Sequence, residues 1–301
     1  MRALVVVAIA FVAVAAAAAA TPPRQVLGPS TVTALAADGA HVVYAVEDCT
    51  VWLWELGTRR LVFFRGGPSC ARTSTGTGIA AASVAGQRAL WLHYTGGNIR
   101  EWSLWTATPT RRAPRQLAFA TSDPDGPAPI VLGEGDASRL GDVLPYAVGR
   151  TVVALRSTGA RAFSWTAPAR VTALAAKAGE LAVAVDGGDV HVLGADGRFL
   201  RTERFGRTVD AVRIDGRSLV TQTGRSLEVR GDGAARVYSL APGVRLADAD
   251  VGRALLTGGG IVRSLRLDSG AGGLVGRGSL AQLEPGRLVV AAGRRVTVTR
   301  P

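Results

Sequence analysis

Ala40-His41-Val42-Val43-Tyr44-Ala45-Val46 is followed, after Glu47-Asp48-Cys49, by Thr50-Val51-Trp52-Leu53-Trp54. After Glu55-Leu56-Gly57-Thr58 comes Arg59-Arg60-Leu61-Val62-Phe63-Phe64. The first run is continuously apolar from Val42 onward, which predicts a strand buried on both faces. The second alternates, which predicts one buried and one wetter face. The third opens on two arginines and suits an outer edge. A further apolar strand precedes the turn at Gly39, so the unit has four strands.

The unit recurs. The glycine ending its first turn aligns at Gly39, Gly86, Gly141, Gly179, Gly216, Gly252 and Gly286. The second strands that follow include Gln87–Leu92, Asp142–Val148, Glu180–Val185, Arg217–Val220, Arg253–Leu256 and Arg287–Val290, mostly unbroken apolar runs. Four short strands per unit, buried inside and wet outside, at a spacing of about 40 residues, describe a propeller blade. Seven turns predict an all-β, seven-bladed β-propeller of four-stranded blades. The last repeat is short: after Arg295-Val296-Thr297-Val298 the chain stops at Pro301. Pro23-Arg24-Gln25-Val26-Leu27 is similar to Pro114-Arg115-Gln116-Leu117-Ala118, the expected fourth strand of the second unit. The mature N-terminus is therefore expected to complete the final blade and close the ring, removing an exposed sheet edge.

The repeat resembles those of the WD-repeat and quinoprotein-like propeller superfamilies over about residues 24–300. Trp52-Leu53-Trp54-Glu55-Leu56 resembles the end of a WD-repeat third strand, with Glu55 where that repeat has Asp. Asp196-Gly197-Arg198 resembles the turn before a fourth strand. No Gly-His or Trp-Asp dipeptide occurs, and the docking tryptophans of quinoprotein repeats do not recur. No cofactor is therefore expected.

The N-terminus reads as an address. Met1-Arg2, an apolar run from Leu4 to Val14 and the alanines up to Ala20 have the order of a secretory signal peptide, residues 1–20, leaving 21–301 as the propeller. The rival reading is a retained membrane anchor. The predicted location is secreted or extracytoplasmic, in the periplasm or cell envelope, with membrane contact only during export or through that uncleaved segment. Cys49 and Cys70, the only cysteines, suit an oxidising compartment and are expected to be disulfide-bonded. No metal site is expected. The formal net charge is +12, and Lys177 is the only lysine, so the basic surplus is arginine. It fits an anionic envelope polymer by long-range attraction, and equally a coding bias toward Arg. An exported chain without a recognised nucleic-acid module is a poor fit for nucleic acid.

In a propeller the loops joining second to third strands share a face with those joining one blade to the next. Cys49 and Cys70 both fall there. So do His93-Tyr94-Thr95-Gly96-Gly97-Asn98, flanked by Trp91, Trp102 and Trp105, and Thr121-Ser122-Asp123-Pro124-Asp125-Gly126-Pro127. Long loops on a rigid scaffold carry function. The candidate ligand-binding residues are Glu47, Asp48, His93, Tyr94, Asn98, Asp123 and Asp125, over blades one to three. The plain structural alternative is that these loops only cover wider blades, with Trp filling the core. Asp123-x-Asp125-Gly126 resembles the start of a calcium loop, but Pro127-Ala128-Pro129 stand where later ligands belong. His41 and His191 read as structural. Glu134, Asp136 and Asp142 cluster in an expected first-to-second loop on the opposite face. Arg111, Arg112 and Arg115 cluster between the third and fourth strands of blade two.

No catalytic set assembles, and no Gly-x-Ser-x-Gly elbow occurs. The expectation is a non-catalytic binding or scaffold module recognising a protein or envelope polymer. The alternative is a propeller-type lyase, lactonase or glycan-active enzyme with His93, Asp48 and Glu47 at its site.

Overall fold

Among the described residues every regular element is a strand, and the strands form seven antiparallel sheets. This computed structural model describes residues 24–300 except 66, 72, 139 and 232. The expected export segment lies outside the described residues, as do Gly66 and Arg72 of the first long loop.

Blade 1 runs Val32–Asp38, His41–Val46, Val51–Glu55 and Arg60–Phe64. Blade 2 runs Thr77–Ala85, Arg88–Thr95, Arg100–Thr108 and Arg111–Ser122, and blade 4 Val171–Lys177, Glu180–Val185, Asp189–Gly194 and Phe199–Arg204. Blade 5 is Ala211–Asp215, Ser218–Thr223, Ser226–Arg230 and Arg236–Ser239; blade 6 is Arg245–Asp250, Arg253–Gly258, Ile261–Arg266 and Gly272–Arg277. In each, strands pair in chain order, inner to outer. Blade 7 takes Leu280–Glu284, Arg287–Ala292 and Arg295–Thr299 from the C-terminus. Its fourth strand is Arg24–Leu27, in register Arg24 with Val298 and Leu27 with Arg295.

Blade 3 differs. Two short strands, Ile130–Leu132 and Asp136–Ser138, share the inner position, both pairing with Gly141–Val148; Thr151–Leu155 and Arg161–Thr166 complete the sheet. Glu134 therefore sits inside a broken inner strand, not in a first-to-second loop. Its backbone makes a parallel bridge to Ala175 of blade 4. The other inner strands shift register at the matching place in blades 1, 2, 4 and 6, between Val32 and Ala34, Ile79 and Ala81, Val171 and Ala173, and Leu246 and Asp248. Such bulges bend the strand and leave a backbone group unpaired in the ladder.

Two further sequence expectations need correction. Arg111, Arg112 and Arg115 lie within the outer strand of blade 2, whose pairing begins at Arg111 with Thr108. And six of the seven aligned glycines have left-handed φ, but Gly141 does not. It opens a strand, where a Cβ would stand 2.8 Å from the Gly179 nitrogen of blade 4, so close approach is what excludes a side chain there.

Burial follows the blade junctions. Among the described residues seven apolar clusters form, one between each pair of neighbouring sheets. Blades 1 and 2 share Val43, Leu53, Phe64, Val84 and Trp91; blades 4 and 5 share Ala182, Val190, Val212 and Ile214. Blades 7 and 1 share Val289, Val296, Val42 and Tyr44. Trp54, Trp91 and Trp102 are buried in such clusters, and Phe64 stacks on Trp91 with centroids 5.8 Å apart. Trp54 lies in the junction of blades 7 and 1, Trp91 in that of blades 1 and 2, and Trp102 in that of blades 2 and 3.

Removing residues 24–28 would bare the Arg295–Thr299 edge. The truncated chain is expected to melt several degrees lower and to self-associate through that edge, as read by thermal unfolding and size-exclusion chromatography. An unchanged monomer would refute this.

Candidate functional site

The loop-bearing face brings three predicted residues together. Cys49 and Cys70 are disulfide-bonded, with Cα atoms 5.3 Å apart. His93 lies against them: one ligand atom from each residue falls within 4.8 Å of the others. As half-cystines the sulfurs are not thiolates, so the trio is a structural clamp while oxidised. His93 is 4% exposed, and burial pulls its imidazole below the usual range, with partial relief from the Ser69 backbone. Its Nε2 is 3.3 Å from Thr77 Oγ1. A neutral, covered imidazole is poorly placed for general acid–base work on a substrate.

The remaining residues of that set are turn elements. Asp48 Oδ1 accepts from the Thr50 amide and hydroxyl at 2.9 and 2.7 Å. Asp123 accepts the Gly126 amide through its carbonyl at 3.0 Å. Tyr94 packs on Trp102 and beneath Arg100, at 5.6 and 5.4 Å. Glu47, Asn98 and Asp125 are exposed. Among the described residues no hydrogen bond, ion pair or ring contact joins Glu47, Asp48, Asn98, Asp123 or Asp125 to His93. Of the residues read as structural, His191 is buried, with Nδ1 2.8 Å from Thr202 Oγ1.

The most concentrated chemistry lies elsewhere, along the inner strands. From blade 3, Glu134 reaches Arg213 Nε of blade 5 at 3.4 Å. Arg213 also donates to the Ala247 carbonyl at the blade 6 bulge, from Nη2 at 2.7 Å, and lies 3.8 Å from Asp248 Oδ1. Lys177 of blade 4 crosses to blade 6, where Nζ donates to Asp250 Oδ1 at 3.0 Å and the Ala249 carbonyl at 3.2 Å. Asp248 is fully buried and accepts the Leu283 amide of blade 7 at 2.6 Å. Complete burial, then the Glu134 charge, push the Asp248 carboxyl well above the usual range. Burial also raises Glu134, partly offset by Arg213 and Lys177. Burial opposes the Lys177 charge, but Asp248, Glu134 and Asp250 outweigh it and hold the ammonium above its ordinary value.

At the first-turn face the inner strands end in a ring of charge: Asp38, Lys177, Asp215, Asp250 and Glu284 in blades 1, 4, 5, 6 and 7. Three of these carboxylates accept the turn-glycine amide of the next blade. Glu284 accepts Gly39 at 2.8 Å, Asp38 accepts Gly86 at 2.6 Å and Asp215 accepts Gly252 at 2.8 Å. These bonds tie blades 7 to 1, 1 to 2 and 5 to 6. Burial, with Asp248 and Asp38 nearby, pushes the Glu284 carboxyl up to about 7. A cleft of about 700 Å³ opens here, lined by Asp38, Glu134, Asp136, Lys177 and Glu284 among others. At the opposite mouth a cleft of about 630 Å³ is lined by Arg170, Arg225 and Arg245, with Asp210 and Gln222. Arg170 is paired with Asp186 at 2.9 Å, while Arg245 is exposed and has no partner among the described residues. One mouth is thus acidic and the other basic.

Reading the sequence by its loops missed this inner ring. The available signal was a charged residue just before the first-turn glycine in successive repeats: Asp38-Gly39, Asp215-Gly216, Asp250-Val251-Gly252 and Glu284-Pro285-Gly286.

No protein-family profile and no curated protein matches the chain. Solved structures match its fold. The computationally designed Ika8 protein is 15% identical with a TM-score of 0.51, covering 91% of this chain and 98% of that one. A chain of the Mitotic Checkpoint Complex is 15% identical with a TM-score of 0.56, covering 100% and 99%. Raptor from Chaetomium thermophilum is 12% identical with a TM-score of 0.59; 92% of this chain covers 28% of that one. The last two are WD40-type propeller proteins. At such identities the likeness concerns the fold alone.

Two outcomes follow from this geometry. Replacing Cys49 and Cys70 by Ser opens a link spanning 21 positions and is expected to cost about 3 kcal/mol in denaturant unfolding. Glu284 holds its proton more tightly folded than its ordinary value of 4.5 allows, so its contribution to stability is full below that pH and is lost as pH rises to about 7. Glu284→Gln, which keeps an acceptor for Gly39, is therefore expected to gain on the wild type between pH 5 and 8, by roughly 3 kcal/mol at most. Parallel melting curves across that range would contradict it.

Proposed function

We propose that this chain is an extracytoplasmic propeller that works as a non-catalytic binding module, closed into a ring by Arg24–Leu27 after removal of residues 1–20. The observation that carries the reading is the loop-bearing face. The disulfide fixes the long first loop to blade 1, Asn98 and Ile99 stand exposed beside it, and Ile99 is 57% exposed. The basic mouth with Arg170, Arg225 and Arg245 opens on the same face. An exposed rim of loops and a positive cleft on one face suit a protein or envelope polymer with anionic groups. Protein interaction is also the coarse role that WD40-type scaffolds bring to mind for this fold. The covered position of His93 weighs against the lyase, lactonase or glycan-active alternative. The disulfide is compatible with an oxidising compartment.

The test immobilises the exported protein against an envelope fraction. It is expected to retain a partner, with retention falling at least tenfold in Ile99→Asp and in Arg245→Glu and in raised salt. Equal retention by both variants would refute use of this face. Turnover of a small substrate that His93→Ala abolishes would move the protein to the enzyme reading. N-terminal sequencing of the exported chain is expected to begin near residue 21.

A further inference from the structure

The acidic mouth is unevenly compensated. On the side of blades 4 to 6 the carboxylates of Asp215 and Asp250 share the Lys177 ammonium, which donates to one carboxylate and one carbonyl oxygen. On the side of blades 7, 1 and 3, Glu284 and Asp38 accept only backbone amides. Asp136 accepts the Ser138 amide and hydroxyl at 2.8 and 3.0 Å. Arg287, which lines the same cleft, donates to the Gly39 carbonyl, not to a carboxylate. His41 faces Asp38, but burial pulls its imidazole down, so it stays neutral near pH 7.

A second observation points inward from the same side. Gln282 lies two residues before Glu284 on the inner strand of blade 7, alternating with Ala281 and Leu283, which pack between sheets. Gln282 is 8% exposed and lines the inner cavity of about 330 Å³ with Glu134 and Arg213, yet its Oε1 has no partner. Gln222 of blade 5 shows what a satisfied counterpart looks like. Its amide donates to the Gly224 and Val244 carbonyls at 2.8 and 3.1 Å, and its Oε1 accepts the Leu246 amide at 2.6 Å. A buried, unpaired amide oxygen is costly unless something fills the place of its missing donor. Asp250 Oδ2, in a residue 7% exposed, is likewise unpaired.

We propose that the first-turn mouth is a binding site for a primary ammonium group, held by Glu284 and Asp38 next to the inner cavity that Gln282 lines and that shares Glu134 and Gly135 with the mouth, as Lys177 is held by Asp250 across the ring. The ligand is an organic amine and not a metal ion for a geometric reason. Among the described residues no three carboxylates bring an oxygen each within 4.8 Å of one another, whereas a cation coordinated by oxygen needs a convergent set. An ammonium on a slender stem needs only two or three acceptors and can enter a cleft of about 700 Å³ end-on. The ammonium is that of a free diamine or that of a lysine side chain on a partner. This site is on the face opposite the loops and stands or falls independently of the partner proposed there.

Calorimetric titration of the purified protein with 1,5-diaminopentane and with the blocked peptide acetyl-Gly-Lys-Gly-amide tests it, with calcium chloride as a third arm. At least one amine is expected to bind saturably. Tighter binding of the diamine assigns a free amine, and tighter binding of the peptide assigns a lysine side chain. Glu284→Gln and Asp38→Asn are each expected to weaken binding at least tenfold. Asp268→Asn, which removes an exposed carboxylate outside the mouth, should change it less than twofold. If either carboxamide variant fails to fold, Gln282→Leu decides, since it removes the inner acceptor without touching the turn amides; it too should weaken binding. Absence of saturable amine binding to the wild type, equal binding by the mouth variants and Asp268→Asn, or calcium binding that amines do not displace would each overturn the proposal.

Discussion

A four-stranded sheet has two faces and cannot bury either by itself. In this protein each face is covered only by the next sheet, so apolar burial divides into seven junctions instead of one core. Every junction repeats the same solution with different volumes: Ala, Val and Leu between blades 4 and 5, Trp91 stacked on Phe64 between blades 1 and 2. Stability is then set by nearest neighbours, as in other repeat architectures. The seventh junction, where Val42 and Tyr44 meet Val289 and Val296, leaves blade 1 and blade 7 with no bare face.

The inner strands serve a second constraint. Three of them are followed in the next blade by a turn whose glycine amide needs an acceptor. Carboxylates from the preceding blade supply it at three junctions. The consequence is like charge gathered in a small ring. The molecule meets that cost with Lys177 and Arg213, and with carboxyls that burial raises above their usual range, Asp248 and Glu284, the latter to about 7. An arginine-rich chain with a net charge of +12 therefore has an acidic interior mouth, a contrast that overall composition hides.

Much of the fold was legible because periodicity is a local property. Unbroken runs such as Val42–Val46 declare strands without knowledge of the partner sheet; the alternation of Val51–Trp54 also marked a strand, but its expected wetter face is covered, with Trp52 and Trp54 packed toward blade 7. Cys49 and Cys70 could be paired because both loops map to one face of one blade. The inner ring was hard to read for the opposite reason. Asp38, Lys177, Asp215 and Glu284 are far apart in sequence and look like ordinary turn residues; only the ring geometry brings them to one axis. Glu134 was placed on the correct side but in a loop, because the broken inner strand of blade 3 has Gly133 and Gly135 around it. Arg111, Arg112 and Arg115 misled similarly: a polar outer strand with one face in water reads like a connection.

The pairing of Arg24–Leu27 with Arg295–Thr299 joins the earliest described strand to the latest. A chain made from its N-terminus at about 5–20 residues per second emits that first strand roughly 15–50 s before its partner exists. Through that interval six blades can assemble in sequence, each waiting only for its neighbour, while the opening tetrapeptide has nothing to pair with. The pairing of these two strands is thus a long-range contact, of the kind whose loop-closure entropy slows folding. Anything that holds the first strand extended during that wait would act on folding through blade 7 alone.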